Sequence, residues 1–311
     1  MTVMTSPLLL RLMVGVLGMI ATAAPTRAAA AAAAPARAAP AATPSTRPTI
    51  DEKCRRLAAR WRERFEAERM TCIVSPPFVV AGDGGRARVT RYVDHTIRAA
   101  DAALERKFFD RARPDEPVLI LLFESRGPYA RLAKKWFDHG DVPHYGFYRR
   151  RENVMLMNVG TGTGTLVHEL VHALIASDFP DVPSWFNEGL GSLYEQCSIG
   201  RDHQTIAGHA NWRLPALKAA IRKDELRSLR ELIEDENFYD AAHVGMNYAQ
   251  ARYLLMYLQE KKLLTDYYAR FRDNAADDPT GLKTLEAVVA PKSLAEFEKQ
   301  WRAWVLTLHF S

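Results

Sequence analysis

Acidic residues are missing from the first 49 positions, which carry Arg11, Arg27, Arg37 and Arg47 but no aspartate or glutamate. The formal net charge of +5 therefore falls to +1 for residues 50–311, so the basic balance belongs to the leader and not to a cationic working surface. Nucleic acid is accordingly a poor match as partner. Long apolar runs are scarce as well: Leu12 to Ala24 is thirteen residues, well short of the ~20 that span a bilayer. Behind Arg11, and with Ala21-Thr22-Ala23 as a small-residue step for signal peptidase, this run reads as an export signal over residues 1–24 rather than an anchor. The expected location is periplasmic or secreted, with membrane contact only transiently through the signal. Because the first cysteine is Cys54, a lipid-anchored form is not expected.

Cysteine is equally sparse, with only Cys54, Cys72 and Cys197. An odd count in an exported chain allows one bridge at most. If Asp51 to Met70 is helical, Cys54 and Cys72 stand roughly 27 Å apart, so a bridge must use Cys197, or else all three thiols are free. Also absent are an internal repeat, a sustained heptad and a phosphate loop: Gly160-Thr161-Gly162-Thr163-Gly164-Thr165 has no lysine after it and no GxGxxG spacing.

What is present divides the chain into four. After the signal, residues 25–49 form an Ala/Pro-rich linker with no apolar face to bury. Residues 50–199 read as a mixed α/β half. It opens with a helix over Asp51–Met70 that has a Leu57, Trp61, Phe65 stripe, followed by a short strand Phe78–Ala81 and a long helix Val89–Phe109. Val118–Phe123 is apolar throughout, as a central strand requires. A helix at Tyr129–Phe137 and strands at Tyr145–Arg149 and Val154–Val159 follow, the last a plausible exposed edge for an extended peptide. Residues 200–311 read as all-helical, closing on Leu294, Phe297, Trp301, Val305 and Leu308. The expected class is α+β.

Chemistry concentrates in His168-Glu169-Leu170-Val171-His172, in an apolar helix that Thr163 or Thr165 is placed to cap. Residues four apart lie one turn apart, so both imidazoles face the same point, while Glu169 sits about 100° round, beside a metal rather than on it. A third ligand is needed, and Asp178 and Glu188 compete for the role. Asp178 requires the helix to break after His172, yet Ile175 stands where a breaking glycine is wanted, and in an intact helix Asp178 points about 120° away. Glu188, in Pro183-Ser184-Trp185-Phe186-Asn187-Glu188-Gly189, opens a second helix that Gly189 and Gly191 allow to pack closely on the first. His168, His172 and Glu188 thus form the expected ligand set for one Zn2+ per chain, with a fourth position left for water.

His168-Glu169-x-x-His172 followed by Trp185-x-x-Glu188-Gly189 resembles the gluzincin-type zinc metallopeptidases, in particular the exported bacterial peptidase MA-like proteins. Asn247-Tyr248-Ala249-Gln250 and Trp301-Arg302-Ala303-Trp304 are similar to further pieces of that family. The resemblance implies a zincin-like fold, a peptide or protein substrate, Glu169 as general base and a Tyr or His from the helical half as oxyanion donor. Tyr248 is the first choice for that donor, with His243 and His209 behind it. Ser192 stands where thermolysin-like members place an Asp behind a zinc His, so Glu195 is the substitute candidate for orienting an imidazole. Neither a GxMEN motif nor the third His of metzincins is found. The alternatives are a noncatalytic zinc-stabilised binding protein of the cell envelope and a helical domain with a fortuitous motif. Arg149, Arg150 and Arg151 either favour acidic substrates or are merely solvated, and His95, His139, His144, His203 and His309 read as surface or capping residues.

Overall fold

Thr49 caps the first helix of the described residues. Its hydroxyl accepts from the Glu52 N–H while the Glu52 carboxylate accepts from the Thr49 N–H, a reciprocal cap that starts α1 (Ile50–Ala67). Thr49 therefore belongs to the fold and not to the linker expected over residues 25–49. The structure, a computed structural model, describes residues 47–310 apart from 141 and 144. The expected signal over 1–24, the linker up to 46, and His144 lie outside the described residues.

After α1 come β1 (Thr71–Ser75) and β2 (Phe78–Gly82), an antiparallel pair of which only the second is legible from the sequence. The long helix expected at Val89–Phe109 is made of α2 (Arg86–Tyr92), a π turn over Val93–Ile97 and α3 (Arg98–Lys107). Then follow β3 (Val118–Phe123), α4 (Arg126–Phe137), β4 (Gly146–Arg149) and β5 (Val154–Asn158). The five strands form one sheet in the order β1-β2-β3-β5-β4, in which β2, β3 and β5 are parallel. All six residues of β3 are buried, as its unbroken apolar run requires. The expectation that Val154–Val159 is an exposed edge is overturned: β5 pairs with β3 on one side and with β4 on the other. The edge beside it is β4, because the turn at Arg150–Asn153 folds β4 back antiparallel on the outside.

Alternation along β3 distributes its side chains to two cores. Val118, Ile120 and Leu122 point to the larger one, while Leu119, Leu121 and Phe123 meet α1 and α4 on the opposite face. The second half of the chain is α5 (Gly164–Asp178), α6 (Ser184–Tyr194), a small hairpin of β6 (Cys197–Ile199) and β7 (Ile206–Gly208), α7 (Leu214–Lys223), α8 (Leu229–Ile233), α9 (Val244–Glu260), α10 (Leu264–Asn274), α11 (Leu282–Val289) and α12 (Leu294–Thr307). Residues 200–311 are therefore not all-helical as expected, because β7 turns back on β6 within them; from Trp212 onward the chain is helical. Phe297, Trp301 and Val305 are buried on α12, and the Trp301 indole N–H donates to the Tyr253 carbonyl, which ties the last helix to α9. The larger core runs without interruption from Ile120 through Leu170 and Leu254 to Trp301, and Arg47–Ser311 forms one unit of mixed α+β structure. All three cysteines are free. Among the described residues no helix is long and apolar enough to cross a membrane.

Candidate metal centre

Thr163 occupies the N-cap position of α5, although its hydroxyl makes no capping bond. Leu166, Leu170, Val171, Leu174 and Ile175 bury the helix and hold its orientation fixed. His168 and His172 consequently share a face, with ring centroids 4.7 Å apart and ring planes at 84°. From α6, Glu188 reaches between them: its Oε2 lies 3.2 Å from His168 Nε2 and 3.4 Å from His172 Nε2. These three residues could hold a metal ion, each offering one ligand atom within 4.8 Å of the others. The donor set suits zinc on geometric grounds. Ligands about 2.05 Å from a tetrahedral ion are about 3.3 Å from one another, and both separations from Glu188 bracket that value.

The two glycines of α6 have different tasks. A Cβ on Gly191 would come within 3.0 Å of the His168 ring, so this glycine is what lets α6 approach α5. Gly189 instead faces α9, where a Cβ would meet Leu255 and Ala251 at 3.1 and 3.2 Å. Substituting Gly191→Ala is therefore expected to displace His168 and weaken the affinity of this cluster for a divalent metal ion about tenfold to hundredfold, measurable by competition with a chromogenic chelator. Unchanged affinity would mean that the ring yields without cost.

Outside the ligands, each imidazole is held by its other nitrogen. His172 Nδ1 lies 2.9 Å from Asn187 Oδ1, and His168 Nδ1 lies 3.5 Å from Glu195 Oε2. Glu195 is in turn fixed by Asn211 and by Arg213 at 3.1 Å. Ser192 is fully buried with no hydrogen-bond partner among the described residues, so Glu195 alone approaches His168 Nδ1 from the end of α6. Burial by itself would lower the His168 imidazolium, but the carboxylates of Glu188 and Glu195 raise it to about 10. Burial would likewise raise Glu188, yet the two imidazoles pull it well below the usual carboxylate range. Asp178, the competing third ligand, is engaged elsewhere. It accepts from the Arg111 and Ala112 N–H groups, the Tyr268 hydroxyl and Arg272.

His168 and half-buried Glu169 line a cleft of about 620 Å³ that also takes in Tyr145, Trp212, Arg213 and Tyr248. Arg213 lies against Trp212 and faces Tyr248, with its guanidinium 3.9 and 5.4 Å from the two ring centroids. Burial and the nearby Glu188 carboxylate push the Tyr248 phenol well above its usual range, so it is a donor and not a base. A second phenol reaches the ligand set: Tyr239, in the loop between α8 and α9, donates to Glu188 Oε1 at 2.7 Å. Asn247 and Gln250 explain their place beside Tyr248. Asn247 donates to the Phe238 carbonyl and accepts from Arg227, while Gln250 donates to the Arg227 carbonyl, which secures the loop that carries Tyr239. Tyr248 is itself hydrogen-bonded to Glu188, and the other oxyanion candidates are engaged as well, His209 with Ser198 and His243 with Asp240.

Residues 162–280 are similar to the family described as Protein of unknown function (DUF1570). The matched stretch contains His168, Glu169, His172, Glu188, Glu195, Tyr239 and Tyr248, and it omits the five-stranded sheet and α12. No curated protein matches the chain.

Proposed function

We propose that the chain is an exported zinc-dependent peptidase with a zincin-like fold, in which His168, His172 and Glu188 hold the ion and Glu169 is the general base. The observation that carries this reading is the division of labour in one helical turn. Two imidazoles and Glu188 converge on a point, while Glu169, between the imidazoles in sequence, lies in the adjoining cleft and is not among the ligands. A zinc ion held there supplies Lewis acidity, which polarises a carbonyl and brings the pKa of an attacking water toward about 7.

The remaining steps belong to the protein. Glu169 takes the proton of the attacking water and returns it to the leaving amine. Tyr248, kept protonated beside the cleft, donates toward the developing charge on the carbonyl oxygen, and Tyr239 holds Glu188 in place. Asn187 and Glu195 keep both imidazoles oriented. β4 offers an edge, unpaired among the described residues, beside α5 onto which an extended peptide substrate adds by backbone hydrogen bonds. The Leu12–Ala24 run supports export.

The deciding test is the zinc stoichiometry of the purified full-length chain, compared with His172→Ala and Glu188→Ala. One zinc per chain is expected in the wild type, lost or at least tenfold weaker in both variants. A wild type that takes up no zinc would end this reading.

A further inference from the structure

On the face of the sheet turned away from α5, a groove of about 1070 Å³ runs between α1, α4 and the turn after β4. Its walls carry eight Lys or Arg residues against three carboxylates, although residues 50–311 as a whole are nearly neutral. Arg56, Arg60 and Arg64 project from one face of α1 at successive turns, all exposed. Neither Arg56 nor Arg60 has a hydrogen bond or ion pair among the described residues, and Arg151 on the opposite wall has none either. Arg149 is paired with Glu152 but keeps its Nε buried and without a hydrogen-bond partner among the described residues.

The three arginines that close β4 and open the turn after it face different ways. Arg149 and Arg151 line this groove, whereas Arg150 donates to the Pro180 carbonyl and lines a small pocket against His172. Arg149 is thus partly covered, while Arg150 and Arg151 are exposed on different walls.

We propose that the groove is a docking site for an acidic, partly apolar polypeptide segment. Free guanidinium groups on both rims match carboxylates, which they bind in a two-pronged fashion. The floor between them is apolar, formed by Trp61, Trp136, Phe137 and Leu57. Its rings are not open platforms for base stacking: Trp61 is only 7% exposed with the Arg64 guanidinium over it, and Arg149 lies over Phe137. Single-stranded nucleic acid needs free ring faces, so it fits this groove less well. The chain's own leader is disfavoured by charge, since residues 1–49 carry arginine and no acid. The site is separate from the metal centre, and its test does not depend on hydrolysis.

The experiment is fluorescence anisotropy of a fluorescein-labelled peptide of glutamates interrupted by phenylalanines, titrated with the full-length chain. Binding is expected to weaken about tenfold or more in Arg56→Glu/Arg60→Glu and in Arg151→Glu, and to weaken with added salt. Arg222→Glu, an exposed change on α7, is expected to leave it unchanged. A peptide of glutamates alone is expected to bind about tenfold more weakly, because it leaves the floor uncovered. Circular dichroism of each variant separates lost binding from lost folding. Equal binding by the wild type and both groove variants would overturn the proposal. So would tighter binding of oligothymidylate or heparin through the same arginines, which would assign the groove to another class of polyanion.

Discussion

Glu169→Gln is expected to lower peptide hydrolysis by about 10²- to 10⁴-fold while leaving one zinc per chain. The size of the loss follows from what the change removes. Glutamine keeps the length and shape of the side chain but cannot accept a proton, so only the proton transfers are lost. The metal is spared because the ligand atoms come from His168, His172 and Glu188, and Glu169 faces the cleft instead. The rate is to be followed on a quenched fluorescent peptide library, with metal content measured on the same samples. Hydrolysis unchanged from wild type would remove Glu169 as the base. A wild type that holds zinc but shows no Glu169-dependent turnover on any peptide would favour the noncatalytic binding protein. Loss of zinc together with activity would place Glu169 in the ligand set.

Asp178→Ala is expected to cost about 3–5 kcal/mol of folding stability and to leave zinc stoichiometry intact. The Asp178 side chain has no solvent exposure, and that of Arg272, its partner, is 7% exposed. Truncation leaves this guanidinium with only Asp110 and Asp273, both exposed and screened. It also removes the acceptor for two backbone N–H groups at Arg111 and Ala112 and for the Tyr268 hydroxyl. Urea denaturation with the metal saturated measures the first effect, and zinc content of the folded fraction the second. Intact stability with lost zinc would return Asp178 to the coordination sphere.

The two carboxylates show how far sequence reasoning reaches. The four-residue spacing of the histidines is enough by itself to define a shared helix face, and that same periodicity turns Asp178 away. Glu188 was legible because the proline, serine and glycines around it mark a second helix able to pack closely, as Gly191 does against His168. Tyr239 was not legible: it lies in a loop without periodicity, and its approach to Glu188 depends on contacts made by Asn247 and Arg227. Asn187 stood in the stretch singled out for Glu188, but which nitrogen of which histidine it holds is a matter of helix rotation. Strand order was hidden for a similar reason. Local pattern identified β5 as a strand, whereas its place between β3 and β4 is a pairing over distance that no alternation encodes. β1 escaped because Thr-Cys-Ile-Val-Ser has little contrast between its faces, and its first four residues are half-buried or exposed. The near-neutral charge of residues 50–311 concealed the cationic groove, since a sum over the chain carries no information about where the charges gather.

The contact between Gly191 and the His168 ring also governs time. An imidazole seated against helix backbone on one side and held at Nδ1 by Glu195 has little room to turn about its χ2 torsion. Capture of an ion then costs little rotational entropy at this ligand, and escape cannot begin by the ring swinging aside. Exchange of an ion held there would have to wait for Glu188 to let go or for α5 and α6 to part, so helix packing would set the lifetime of such a state more than bond strength alone.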